Sequence, residues 1–226
     1  LSPNGALRAG KATLYEGGIR VPFVVAGPGI QPGAQCDVPI VQWDLLPTVH
    51  DYAMSDQPLP ADLDGGSLRN VFESGDKGKV SRPVEGLVFH YPCYFAPPLS
   101  VIRLGDYKLM EHLLTGEQKL FNVARDYRER TNLINKYPQK ATELKAVMSS
   151  YLESIDAEDV QEVYKARLTE LDRFEQRARA AHPKKIERAG NDDALKDAAD
   201  EELAEALARI DRNRRECREN MRGKDF

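Results

Sequence analysis

The sequence predicts an α/β chain in three stretches: a Gly- and Pro-rich α/β region over 1–95, a small antiparallel-sheet-plus-helix subdomain over 96–155, and a helical, charged extension over 156–226. Three patterns predict this. Val21–Ala26 is a continuous apolar run, closed by Gly27-Pro28-Gly29, of the kind that fills a strand buried on both faces. Two short apolar-rich runs flank Gly105-Asp106, a hairpin signal. Beyond residue 156, apolar residues recur every three or four positions in a background of Ala, Glu, Arg and Lys.

In chain order, Asp44 precedes Leu45-Leu46-Pro47-Thr48-Val49, a helix start in which Asp44 caps the first free amides and Pro47 is tolerated in the first turn. Asp64-Gly65-Gly66 reads as a turn, and Gly86–Tyr91 as a strand stopped by Pro92. Ser100–Arg103 and Tyr107–Glu111 are the hairpin strands, with Lys108 as a charge on the strand face. Gly116 turns the chain into a third strand at Lys119–Asn122. A polar loop over Asp126–Asn132 leads to a helix from Pro138 to about Leu152, with Leu144, Val147, Met148 and Tyr151 on one face. Val160, Tyr164, Leu168, Leu171 and Phe174, then Leu203, Leu207 and Ile210, predict two further amphipathic helices, broken near His182-Pro183 and Gly190-Asn191.

Thirty-two basic against 36 acidic residues leave a net charge of −4, which argues against nucleic acid as a partner, because phosphate binding needs a basic surface. No apolar run approaches the ~20 residues that span a bilayer. Cys36, Cys93 and Cys217 have no zinc-ligand spacing. They read as two buried thiols and one tail thiol, with a Cys36–Cys93 disulfide left open. His50, His112 and His182 read as structural or surface residues.

The chemistry concentrates in Arg8–Pro22. Gly10, Gly17 and Gly18 let the backbone approach a ligand closely, and Arg8, Lys11 and Arg20 supply positive charge for an anion. A lysine here can stabilise charge on a transferring sulfuryl or phosphoryl group. On these residues alone, a solvated Lys11 and an Arg20–Glu16 surface pair are the favoured reading. His90, near the end of a predicted strand, can donate to a substrate oxygen or be a packed strand histidine.

Gly10-Lys11 through Tyr15-Glu16-Gly17-Gly18-Ile19-Arg20-Val21-Pro22 resembles the motif of type I, formylglycine-dependent sulfatases that precedes a core strand of their alkaline-phosphatase-like fold. Asp44–Thr48, Asp64–Leu68, Arg103–Leu109, Leu120–Val123 and Glu129–Leu133 resemble later family segments in the same order, so the likeness covers about residues 1–152. The resemblance implies that 1–95 is the C-terminal part of the large catalytic domain and that Lys11 contacts the sulfate group. Glu16 and Arg20 are expected to fix the loop by a partly buried ion pair. His90, Tyr94 and Arg103 are candidates for the substrate pocket and its rim, although Cys93 stands where a second histidine is expected. The implied activity is sulfuric ester hydrolysis, on a sulfated small molecule or polysaccharide, in a periplasmic or secreted protein. Phosphoester or phosphonate hydrolysis and a non-catalytic sulfatase-like binding role are the alternatives, and the tail helices are a candidate surface for self-association.

The resemblance also implies calcium and a formylglycine made in a Cys/Ser-x-Pro-x-Arg motif. None of the three cysteines begins such a motif, and no acidic cluster offers the ~6–8 oxygen ligands that calcium takes. Both groups, and a signal peptide, are therefore expected upstream, and this segment alone is expected to be inactive.

Overall fold

The computed structural model describes residues 5–53, 56–93 and 97–221. Two compact units are present: residues up to Ile19 with Val88 onward, and Arg20–Leu87. Their boundaries differ from the three stretches read from the sequence.

The first unit is built on an antiparallel sheet in the order β1 (Leu87–Tyr91), β2 (Leu99–Leu104), β3 (Tyr107–His112), β4 (Gln118–Asn122). Leu104 faces Tyr107 across the two-residue turn, where Gly105 takes φ 56°, as the hairpin reading requires. The two-residue period gives the sheet two buried faces. Ile102, Leu109 and Leu120 lie under α4 (Pro138–Ser154), which contributes Ala141, Leu144 and Met148. Val101, Met110 and Phe121 lie under Leu14 and Tyr15 of the N-terminal loop. The sheet is thus covered by a helix on one side and by the candidate site's own loop on the other.

The extension forms α5 (Val160–Ala189) and α6 (Asp193–Met221), packed on each other. Asp159 caps α5 by accepting from the amides of Gln161 and Glu162. At the root, Val160, Tyr164 and Cys217 pack with Leu113 and Leu114 just after β3. The expected break at His182-Pro183 is corrected, because α5 runs through Pro183. Pro183 cannot donate to the preceding turn. On either side of it, His182 pairs with Asp200 and Lys185 with Glu202 of α6, so contacts between the helices hold the kink-prone turn. Gly190, at φ 57°, does end the helix.

The second unit holds α2 (Leu45–Tyr52) and α3 (Arg69–Ser74). Asp44 precedes α2 as expected but makes no side-chain cap. Its fully buried carboxylate instead takes Arg82 Nε at 2.8 Å and Nη2 at 2.6 Å, with the amides of Gly66 at 3.0 Å and Val41 at 2.9 Å. The Asp64-Gly65-Gly66 turn is also corrected: these residues carry no turn. Glycine is needed there for close approach, since a Cβ on Gly66 would lie 2.1 Å from the Ser81 carbonyl oxygen.

The predicted strand at Val21–Ala26 is absent. Val21 is 75% and Val24 89% exposed. A doubly buried strand needs a hydrogen-bonded neighbour at each edge, and among the described residues the one sheet is β1–β4.

The three cysteines are free thiols; Cys36 is exposed and the tail's Cys217 is buried, which reverses the expected burial of those two. His112 is structural, as expected. It is buried, and its Nδ1 accepts from the amides of Leu114 at 3.2 Å and Thr115 at 3.3 Å. Burial pushes its pKa below the ordinary histidine value, partly offset by Glu117. The unfolded chain therefore binds more protons below about pH 6.5, so this histidine's contribution is full above that pH and is lost as pH falls through the depressed folded value. Melting temperatures between pH 8 and 5 are expected to fall more steeply for the native chain than for His112→Gln. Parallel slopes would contradict this.

Candidate functional site

The segment 8–19 is a compact loop that ends in the single-turn helix α1 (Glu16–Ile19). Lys11 occupies a turn in which the Thr13 amide donates to the Gly10 carbonyl at 3.2 Å and the Thr13 hydroxyl donates to the same oxygen at 2.8 Å. Ala9 and Ala12, on either side, take φ 57° and 69°. Left-handed backbone at a residue with a Cβ costs about 1–2 kcal/mol, so the turn persists only because its surroundings over-determine it. Part of that constraint comes from glycine. A Cβ on Gly17 would lie 2.3 Å from the Arg8 carbonyl oxygen, and one on Gly18 would lie 2.0 Å from that of Thr13.

The rest comes from charge. Glu16 is buried, and Lys108 Nζ lies 3.0 Å from its Oε1 and 2.8 Å from Oε1 of Glu129. The Glu16 amide donates to Glu129 Oε2 at 2.7 Å. Arg8 donates from Nη1 to the Glu129 carbonyl at 2.7 Å and lies over the Tyr15 ring, 4.1 Å from its centroid. Glu129 itself takes φ 52°. Burial raises the Glu129 pKa above the ordinary carboxylate value, and Lys108 opposes that shift. Motifs 92 and 113 residues apart thus meet in one ion cluster.

Glu16 therefore pairs with Lys108 and not with Arg20, which is exposed and begins the other unit. A pair four residues apart was the simplest local solution, but the sheet places a buried ammonium nearer. Lys108 is correspondingly not a charge on an open strand face: its side chain is 0% exposed. The sequence reading missed Lys108 and Glu129 as partners. A lysine at an inward position of an otherwise buried strand was the available signal for the first; Glu129 lies in a polar loop with none.

Lys11 is exposed and has no ion-pair partner among the described residues. Arg8 is committed to Tyr15 and Glu129, which leaves Lys11 as the loop's unengaged cation. His90 is not brought to this loop's polar contacts. Its Nδ1 lies 2.7 Å from the Ser100 hydroxyl and its Nε2 3.0 Å from the Glu158 carbonyl. A carbonyl only accepts, so Nε2 carries the proton, and a neutral ring then accepts from Ser100 at Nδ1. Arg103 is half-buried on β2, in register with Lys108, and its Nε has no hydrogen-bond partner among the described residues. Tyr94 lies outside the described residues. No group of three or more His, Cys, Asp or Glu among the described residues could hold a metal ion, and none of the three cysteines starts Cys-x-Pro-x-Arg. The residues present do not fit calcium or a cysteine-derived formylglycine.

A mixed sheet-and-helix domain thus carries a strained, cation-bearing loop held by buried charge. A family model described as N-sulphoglucosamine sulphohydrolase, C-terminal, matches residues 9–158, and the chain belongs to that sulfatase family. It is 33% identical over 151 residues to a sulfatase of Formosa agariphila, covering 62% of this chain and 27% of that protein. It is 32% identical over 146 residues to the delta 4,5-hexuronate-2-O-sulfatase of Bacteroides thetaiotaomicron, covering 62% and 30%. A solved structure from work on how that bacterium metabolises multiple glycosaminoglycans superposes with TM-score 0.52 at 25% identity, covering 68% of this chain and 32% of the other. The chain thus spans under a third of the length of these relatives.

Proposed function

We propose that the longer protein to which this chain corresponds is a sulfuric ester hydrolase acting on sulfated carbohydrate, and that Lys11 holds the sulfate oxygens. The observation that carries this is Lys11, exposed and without an ion-pair partner among the described residues, in a strained turn inside the segment matched by the sulfatase family. An ammonium carried on such a turn is a compact point charge that can meet and stabilise negative charge building on a transferring sulfuryl group. The carbohydrate class rests on two similar proteins, one named for a sulfated hexuronate and one tied to glycosaminoglycan metabolism.

In this proposal the nucleophile and the calcium ligands come from polypeptide that this chain does not span, and the segment alone is inactive. His90 belongs to the substrate pocket, and Tyr94 and Arg103 to its rim; the guanidinium of Arg103 is suited to a second anionic group. The protein works in the periplasm or outside the cell. Among the described residues, no helix is long and apolar enough to cross a membrane.

The test is a rate comparison on the longer protein. Turnover of an aryl sulfate or a sulfated disaccharide, well above that of the matching phosphate, is expected. Preference for the phosphate would transfer the chain to phosphoester chemistry, and no turnover of either would leave a binding role.

A further inference from the structure

Resting on the proposed role of Lys11, we propose that Lys108 is a positioning residue: with Glu16 and Glu129 it forms a buried ionic lock that holds the Lys11 turn in its strained conformation. The lock has three parts. Lys108 joins the two carboxylates from inside β3. Glu129 Oε2 receives the Glu16 amide, fixing the first residue of α1. The backbone of α1 then returns to the Lys11 loop, because the Gly17 amide donates to the Arg8 carbonyl at 2.9 Å. Arg8 completes the circuit by donating to the Glu129 carbonyl. Ala9, Ala12 and Glu129, three of the four non-glycine residues with positive φ among those described, all belong to this assembly. None of these contacts of Lys108 and Glu129 involves Lys11 itself, so the lock acts on the anion site through the loop and not by touching the ligand.

Hydrogen exchange on the longer protein tests this without reference to activity. In Lys108→Met, the amides of Glu16 and Gly17 are expected to exchange about 100-fold faster, while those of α4 stay within about threefold of native. If Lys108→Met unfolds the whole unit, so that α4 also exchanges, Glu129→Gln decides. It removes one charge and keeps an oxygen for the Glu16 amide, and about tenfold faster exchange at Glu16 is expected. Unchanged Glu16 and Gly17 amides beside a native α4 would overturn the lock. The second arm is a double-mutant cycle in the longer enzyme. Lys108→Met is expected to lower kcat/KM about tenfold or more on the native background and not at all on a Lys11→Ala background. Additive losses would show that Lys108 acts elsewhere. Should Lys11→Ala leave turnover unchanged, the sulfate-ligand role fails by itself, and the exchange rates still decide the lock.

Discussion

Lys11→Ala in the longer enzyme is expected to lower kcat for a sulfate ester by about two to three orders of magnitude, the usual loss on removing one preorganised group that meets developing charge. The same substitution is expected to shift stability by no more than about 0.5 kcal/mol, because it removes an exposed side chain without an ion-pair partner among the described residues. Activity and stability therefore separate at this position. Steady-state kinetics and thermal melts on one preparation measure both. A native turnover number would remove Lys11 from the anion site; a large melting shift would mean that it is part of the loop's structure.

Asp44→Ala is expected to cost about 3–5 kcal/mol, the range for removing one partner of a buried ion pair. The carboxylate is fully buried and serves four donors: Arg82 Nε, Arg82 Nη2 and the amides of Gly66 and Val41. Its loss leaves the Arg82 guanidinium with the Pro39 carbonyl at 3.1 Å as its remaining acceptor in that cluster. Denaturant unfolding of the Arg20–Leu87 unit, followed by exchange of the α2 amides, would show this loss. A cost below about 1 kcal/mol would mean that water replaces Asp44 and that the site is not sealed.

Both residues show how far the sequence reaches. Asp44 was legible as the start of a helix, and the helix is there; its use as the hub for Arg82, 38 residues away, was not. Glu16 was legible as an ion-pair partner, but the partner chosen from the sequence was four residues away and the real one is 92. Lys11 was legible through its motif, yet the positive φ angles beside it fall on alanines, which give no local sign of left-handed backbone.

The sequence by itself determined the β2–β3 hairpin, α4, the amphipathic period of α5 and its end at Gly190, because each depends on residues within a few positions of one another: turn chemistry and period. Tertiary structure decided the rest. α5 survives Pro183 because α6 pairs on either side of it, Val21–Ala26 is no strand where a sheet ladder offers it no neighbour, and Lys108 is buried because two distant carboxylates converge on it. Ladder pairing and charge burial depend on which remote residue the fold brings alongside, and that has no periodicity from which to read it.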